Sequence, residues 1–313
     1  MLMLIKNFVL LILGFIMLIK GADWLVEGAS GIAKKMGIPS LVVGLTIVAM
    51  GTSAPEAAVS ITSALKGSVD IAVGNVLGSN IMNILIILGM TACITPLLIK
   101  DNTIKYEMPF LIGITVIFSV IGLQNSVIGL KGGIILWALF IAYLAYLFIM
   151  TKKGLIEEEE DEVEHFHSIP VLLCLTVIGI VIVVLGSNFA VDGASGIAKF
   201  FGVSERIIGL TIVALGTSLP ELVTSITAAK RGKADLAIGN IVGSNIFNIL
   251  FVIGTSAIIT PVAYQSRFFV DSLVAIGAAI LLYLCVLKDH KLSKMGGIIM
   301  LVGYVGYFIY LMI

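Results

Sequence analysis

Apolar residues run through this sequence in long blocks, separated by short breaks that carry charges, glycines or prolines. A helix that crosses the hydrocarbon core of a bilayer needs roughly 20 apolar residues. By that length the blocks predict about ten membrane-spanning helices, with a break inside the second and third spans of each half. The predicted spans are 3–26, 40–66, 71–97, 105–124, 129–150, 169–195, 205–230, 236–260, 267–287 and 294–312.

A strongly polar stretch at 151–168 separates two halves of five predicted spans each. Its run of acids repels itself, so we interpret the stretch as an exposed, flexible linker, with a regulatory cation site as the alternative. The predicted organisation is therefore a first half at 1–150, the linker, and a second half at 169–313.

The two halves are repeats of each other. Residues 21–89 align without a gap to residues 186–254, an offset of 165, and 38 of the 69 aligned residues are identical. Because five is an odd number of spans, the second half must enter the membrane from the opposite side. Inverted repeats with a binding site near the membrane midplane are typical of secondary transporters. The sequence therefore predicts an all-α membrane protein built from two inverted five-helix repeats.

The distribution of basic residues predicts the orientation. Twelve lysines and arginines fall on the side of the acidic linker and six on the other side. By the positive-inside rule, the linker is cytoplasmic and both termini lie outside the cell (inner) membrane. The first apolar block lacks a small-residue cleavage site, so we interpret it as a retained helix.

The amino-acid composition agrees with a membrane protein and argues against other classes of protein. The chain is 59% hydrophobic and 12% charged, and its mean hydropathy is +1.15, whereas soluble domains are about a quarter charged. A net charge of zero gives no sign of a nucleic-acid partner. Three scattered cysteines form neither a disulfide framework nor a zinc site. No predicted span contains a histidine, which argues against an intramembrane enzyme.

The corresponding segments 44–89 and 209–254 each place one glutamate, Glu56 or Glu221, inside an apolar span. An ionisable group in the membrane is costly and marks a functional site. Pro55 precedes Glu56 directly, and a proline breaks the helix and frees backbone carbonyls in the preceding turn. Thr52 and Ser53 lie four and three residues before Glu56, which puts them on its helical face. The second copy repeats this arrangement with Thr217, Ser218 and Pro220.

The next span of each half carries a polar stripe at four-residue spacing, namely Asn75, Ser79 and Asn83 in the first copy and Asn240, Ser244 and Asn248 in the second. Ligands that are all oxygen suit Ca²⁺, Na⁺ or Mg²⁺ and argue against zinc and copper. Two facing carboxylates repel unless a cation lies between them, and their charge matches one Ca²⁺. The neutral hydroxyls and amides suit Na⁺, so the two ions are expected to compete.

The motifs GTSAPE and GTSLPE, each followed by GNxxGSNIxN, resemble the α-repeats of the cation/Ca²⁺ exchanger superfamily, and most closely those of prokaryotic Na⁺/Ca²⁺ exchangers. The resemblance implies that Glu56, Glu221 and the carbonyls of Thr52 and Thr217 bind Ca²⁺. It assigns one Na⁺ to Ala49, Ser53 and Ser79 and another to Ala214, Ser218 and Ser244, with Asn83 and Asn248 facing the centre. It also implies that the first and sixth helices slide to open the site to each side in turn.

Asn248 departs from the family pattern, because many members carry aspartate there; this leaves stoichiometry and K⁺ dependence open. We expect an electrogenic antiporter that extrudes Ca²⁺ in exchange for Na⁺, without a cofactor and as a monomer. Exchange of Ca²⁺ or another divalent cation for H⁺ through the same glutamates is the alternative. A cation channel is less favoured, because channels typically repeat subunits around an axial filter.

Overall fold

The computed structural model describes residues 2–66, 69–152, 167–203 and 214–312. Helices form almost all of this part of the chain. The first half contains α1 (Leu2–Met36), α2 (Ser40–Thr52), α3 (Ala54–Leu65), α4 (69–94), α5 (103–125) and α6 (Leu130–Lys152). The second contains α7 (Ile169–Phe200), α8 (Ala214–Thr217), α9 (Leu219–Lys230), α10 (Ala234–Ile259), α11 (Phe268–Leu287) and α12 (Lys294–Met312).

The predicted spans are found as helices with shifted ends. Within the described residues, eight helices are long and apolar enough to cross a membrane, and the bent pair α2–α3 makes nine. The predicted span at 205–230 begins among residues 204–213, which lie outside the described residues. The predicted first span was too short: α1 runs on to Met36, ten residues beyond the expected end at 26. Most of the predicted linker, 153–166, also lies outside the described residues.

The predicted break in the second span lies at Ser53. Here α2 and α3 meet at an angle of 52°, and Pro55 occupies the first turn of α3. Proline has no N–H to donate and crowds the carbonyl of the turn before it, so a helix stops and restarts there. In the second half Ser218 separates α8 from α9 in the same way, with Pro220 in the first turn of α9. These breaks place a helix N-terminus inside each half.

The long helices α1 and α7 pack closely along much of their length. Glycines allow the approach: a Cβ on Gly14 would clash with the backbone of Ala190, and one on Gly179 would meet the backbone of Leu25 at 2.6 Å. Small residues at helix contacts let two backbones approach closely within a membrane. The contact therefore joins the first helix of each half into one pair.

The centre of the molecule is formed by α4 and α10. In their most apolar windows 72% of α4 and 94% of α10 are buried, against 11% of α1. α10 crosses α2 at two glycines, since a Cβ on Gly239 would meet the Leu41 carbonyl at 2.7 Å and one on Gly243 the Leu45 carbonyl at 2.6 Å. This contact inserts a helix of the second half against the broken helix of the first.

Two short antiparallel pairings also connect the halves. Strand β1 (Leu97–Leu98) pairs with β4 (Lys291–Leu292), and β2 (Val127–Ile128) pairs with β3 (Val262–Ala263). Each strand has two residues and lies just outside a helix end, where backbone groups freed from the helix find partners. The all-helical prediction is confirmed apart from these connections.

Candidate functional site

Glu56 and Glu221 lie in the first turns of α3 and α9, immediately after the prolines. Each glutamate is 1% exposed, and the two are close enough that the charge of Glu221 acts on Glu56. A helix N-terminus carries a partial positive charge that favours a carboxylate. The two breaks therefore bring one carboxylate from each half to the same buried place.

Hydroxyl groups cross between the halves to reach these carboxylates. Ser53 Oγ donates to Glu221 Oε1 at 2.8 Å, and Ser218 Oγ donates to Glu56 Oε1 at 3.4 Å. The hydroxyl of Thr52 donates across the halves as well, to Asn240 Oδ1 at 3.0 Å. Each glutamate is thus bound by the serine of the opposite half.

This crossing differs from the expectation that Thr52 and Ser53 share a helical face with Glu56. That expectation assumed a continuous helix, whereas the chain bends by 52° between Thr52 and Ala54. A residue before the bend no longer follows the α-helical spacing of one after it. The two motifs consequently bind each other's carboxylates.

Asn75 and Asn240 hold the two breaks in place. Asn75 Nδ2 donates to the Glu56 carbonyl at 3.2 Å and to Ser60 Oγ at 2.9 Å. Asn240 Nδ2 makes the matching bonds to the Glu221 carbonyl at 3.4 Å and to Ser225 Oγ at 2.9 Å. Both asparagines belong to the predicted polar stripe, and the structure gives them a positioning role.

Four asparagines form a reciprocal network at the centre. Asn80 Nδ2 donates to the Asn245 carbonyl at 3.1 Å, and Asn245 Nδ2 donates to the Asn80 carbonyl at 3.2 Å. Asn83 Nδ2 donates to Asn245 Oδ1 at 2.9 Å, and Asn248 Nδ2 donates to Asn80 Oδ1 at 3.2 Å. Because the Asn83 and Asn248 amide nitrogens are engaged in this way, their Oδ1 atoms point elsewhere.

Sequence reasoning missed Asn80 and Asn245. Each stands in the repeated GSNI segment, so duplication was the available signal. Neither falls on the four-residue polar stripe, however, and the partner of each lies in the other half. Their role depends on how the halves pack, which spacing within one helix does not reveal.

Buried oxygen atoms without hydrogen-bond partners remain at this site. Among the described residues they are Glu56 Oε2, Glu221 Oε2, Asn83 Oδ1 and Asn248 Oδ1. A buried polar atom without a partner costs about 1–3 kcal/mol, and more when it is charged. Two carboxylate and two amide oxygens, oriented by bonds to their neighbours, form a set of ligands suited to a hard cation.

The other predicted ligands lie nearby or are partly described. Ser244 Oγ donates to the Ala49 carbonyl at 3.4 Å, which joins two of them across the halves. Ser79 is buried on α4, at 4% exposure. Ala214 begins α8, and the surroundings of its side chain lie outside what the structure describes.

Three comparisons relate this chain to known proteins. A family model described as "Sodium/calcium exchanger protein" matches residues 6–149 and 171–313. CaxA of Alkalimonas amylolytica is 40% identical over 290 residues, covering 89% of this chain and 90% of CaxA. The inner membrane protein YrbG of Escherichia coli (strain K12) is 36% identical over 288 residues, covering 88% of this chain and 87% of YrbG. A solved structure of the sodium-calcium exchanger NCX_Mj matches with a TM-score of 0.86 and 32% identity, covering 98% of this chain and 99% of that one.

Proposed function

This chain belongs to the sodium/calcium exchanger protein family, and from that premise we propose that it exchanges Ca²⁺ for Na⁺ by alternating access. It is a multi-pass membrane transporter and not an enzyme. The observation that carries the proposal is the pair of buried glutamates, each bound by hydroxyls of the opposite half. A site built equally from two inverted halves is what alternating access needs.

Charge supports Ca²⁺ as the divalent ion. Glu56 and Glu221 together supply two negative charges, so one Ca²⁺ leaves the buried site neutral. Their unpartnered Oε2 atoms are the proposed ligands, with the carbonyls of Thr52 and Thr217 beside them. A neutral loaded site crosses a low-dielectric interior at least cost.

We assign Na⁺ to neutral oxygens on either side of this centre. The proposed ligands are Ala49, Ser53 and Ser79 for one ion and Ala214, Ser218 and Ser244 for another, with Asn83 and Asn248 between them. Ser53 and Ser218 donate to the glutamates, so occupation by Na⁺ and by Ca²⁺ depends on the same carboxylates. Loading more than two Na⁺ leaves the site positive, and exchange is then electrogenic.

The helix pair α1–α7 is the proposed moving part. Its glycine contacts join the two helices closely, which favours movement as one body. Its most apolar windows are only 11% and 28% buried, against 72% and 94% for α4 and α10. A pair with little packing against the centre can slide across it more readily than a helix that the centre surrounds.

We also propose the membrane arrangement predicted from charge. The chain lies in the inner membrane with its termini outside and the linker at 151–168 in the cytoplasm, and the halves at 1–150 and 169–313 form the two repeats. The named relative YrbG is an inner membrane protein. Extrusion of Ca²⁺ by inward movement of Na⁺ is the proposed direction.

Exchange of Ca²⁺ for H⁺ is the second candidate. The same two carboxyls, when both are protonated, also form a neutral site. The serine hydroxyls beside them favour Na⁺, since neutral oxygens add ligands that a proton does not need. A channel is disfavoured by the burial of both glutamates at 1% exposure.

The test is Ca²⁺ uptake by purified protein in lipid vesicles. Vesicles loaded with Na⁺ are compared with choline-loaded vesicles that carry an imposed pH gradient, using radioactive calcium. Uptake driven by internal Na⁺, and lost in Glu56→Gln and in Glu221→Gln, is the expected result. Uptake driven only by the pH gradient would establish proton coupling instead.

A further inference from the structure

A further buried carboxyl lies away from the paired glutamates, at the start of α5. Glu107 is 0% exposed. Its Oε1 accepts a hydrogen bond of 2.8 Å from the Tyr146 hydroxyl on α6. Its Oε2 is buried and has no hydrogen-bond partner. An ionised carboxylate in such surroundings is costly unless a proton or another cation compensates it.

Two further unpartnered oxygens accompany this carboxyl. The hydroxyls of Tyr143 and Thr103 are both buried without a hydrogen-bond partner. Tyr143 interacts electrostatically with Glu107 and stacks on Tyr146 with ring centroids 6.5 Å apart. Thr103 lies four residues before Glu107 on the same helix and shares its buried face. One carboxyl group and three hydroxyl groups thus belong to this cluster.

The backbone at this place resembles that of the paired site. Thr103–Glu107 forms a π-helical turn, and the other π-helical segments of the described chain are Gly44–Val48, Asn83–Leu88 and Asn248–Ile253. Two of these begin at Asn83 and Asn248, and the third precedes Ala49. Such turns are rare and occur frequently at functional sites. The fourth π-helical turn of the described chain is the one that contains Glu107.

The second half carries a related carboxyl–tyrosine pair, in which the Tyr307 hydroxyl donates to Asp271. Past the π-helical turn the offset between the halves falls from 165 to 164, as the match of Val127–Ile128 with Lys291–Leu292 shows. The positions of Glu107, Tyr143 and Tyr146 are therefore taken by Asp271, Tyr307 and Tyr310. The matching segment of the second half belongs to the regular α-helix Phe268–Leu287. Among the described residues, the π-helical turn and a buried carboxyl oxygen without a partner distinguish Glu107 from Asp271.

The neighbouring lysines are directed to other acids. Lys105 Nζ lies 3.1 Å from Asp101 Oδ2, and Lys100 Nζ lies 2.8 Å from Asp235 Oδ2. The hydrogen bond from Lys105 lowers the pKa of Asp101 below its usual range. The ion pairs found among the described residues do not include Glu107. Compensation of its charge is therefore left to a proton or to a small cation from solution.

We propose that Glu107, Tyr143, Tyr146 and Thr103 form a second site that binds one Na⁺, in exchange for the proton of the neutral carboxylic acid. One carboxylate matches one monovalent charge, whereas Ca²⁺ would leave a buried positive charge. The hydroxyl oxygens complete a set of hard ligands. Binding conserves charge, because Na⁺ enters as the carboxyl O–H bond breaks and the proton leaves to solution. The site does not depend on which ions the paired glutamates transport.

Infrared difference spectroscopy tests this directly. The protein carries Glu56→Gln and Glu221→Gln, which silence the paired site, and choline is replaced by Na⁺ at constant pH. We expect Na⁺ to remove the band of a protonated carboxylic acid and to produce that of a carboxylate. Further substitution of Glu107→Gln should abolish this difference. A band that responds to pH but not to Na⁺, or a Na⁺ response that persists in Glu107→Gln, would overturn the proposal.

Asp271 offers a matched control. It accepts a hydrogen bond of 2.9 Å from the Tyr307 hydroxyl, so it is another carboxyl–tyrosine pair in the membrane part of the protein. Asp271→Asn should leave the Na⁺-dependent difference intact. If the double glutamine variant fails to fold, subtracting the Glu107→Gln spectrum from that of the unsubstituted protein isolates the same band. Loss of the difference in Asp271→Asn would also contradict the assignment.

Discussion

Glu56 accepts a hydrogen bond of 3.4 Å from Ser218, whereas its counterpart Glu221 accepts one of 2.8 Å from Ser53. The two halves share their residues at the centre, yet they do not hold them equally. Outside the centre the difference grows, since the π-helical turn Thr103–Glu107 of the first half is replaced by the regular helix Phe268–Leu287 in the second. The comparison indicates that the two halves keep the same residues where both contribute ligands to one ion. They differ in structure where only one half is involved.

The largest effect is expected from removing one carboxylate at a time. Removing one partner of a buried charge interaction typically costs about 3–5 kcal/mol, or roughly 100-fold or more in affinity. Glu56→Gln and Glu221→Gln should therefore each lower Ca²⁺ affinity by at least about 100-fold. Calcium-dependent uptake as a function of Ca²⁺ concentration measures this. If one variant retained wild-type affinity, the halves would not share one ion.

Adding a charge at the centre should have the next largest effect. Asn248→Asp places a third carboxylate at the site, so a bound Ca²⁺ leaves one negative charge buried. It also replaces the Nδ2 donor that bonds Asn80 Oδ1 with an acceptor. We expect slower Ca²⁺ exchange, by about tenfold, as one buried unpaired group costs about 1–3 kcal/mol.

Asn83→Asp is the matched change in the first half, because Asn83 bonds Asn245 in the same manner. A similar loss of exchange rate in both variants, measured in the same vesicles, would support a shared centre. Faster exchange in either one would contradict the charge argument.

Substitution of the two serines should reveal a smaller difference between the halves. A hydrogen bond to a charged group contributes about 1.5–3 kcal/mol, and a long one contributes less. Ser53→Ala should therefore weaken Ca²⁺ binding by about tenfold and Ser218→Ala by only a few-fold. Titration calorimetry with Ca²⁺ gives both values. The reverse order would mean that the difference between 2.8 and 3.4 Å has no energetic consequence.

The smallest effect is expected at an ion pair that links α1 to the segment after α9. Arg231 lies 2.9 Å from Asp23 and 4.0 Å from Glu27, and its side chain is 38% exposed. Partly exposed pairs contribute about 0–1 kcal/mol. Arg231→Gln should therefore change the ratio of the two open states by less than about fivefold.

Accessibility of cysteines introduced on each side of the membrane measures that ratio. Lys66 stands at the corresponding position of the first half, so Lys66→Gln is the matched variant. A change much larger than fivefold in Arg231→Gln would show that this contact, and not the centre, controls which side is open.

Much of the architecture could be predicted from sequence, because lipid requires long apolar helices and the repeat is strong. The break beside Pro55 and the burial of Glu56 and Glu221 were predicted for the same reason: the residue types allow few alternatives. The end of α1 at Met36 was not predicted, because polar residues such as Lys34 and Lys35 hide the continuation of a helix beyond the membrane.

The contacts between halves could not be predicted. Spacing along one helix placed Ser53 beside Glu56, whereas the bend directs it to Glu221. The reciprocal bonds of Asn80 and Asn245 likewise need the relative position of α4 and α10, which no local pattern contains. The site ligands carried over by family resemblance remain predictions.

The central claim is that one divalent ion lies between the glutamates of the two halves. Anomalous diffraction from a crystal of this protein soaked with Sr²⁺, collected also for Glu221→Gln, tests it most directly. We predict a single strong peak in contact with Glu56 and Glu221, and its loss in the variant. A peak bound to one glutamate alone, or one that persists in Glu221→Gln, would contradict the account.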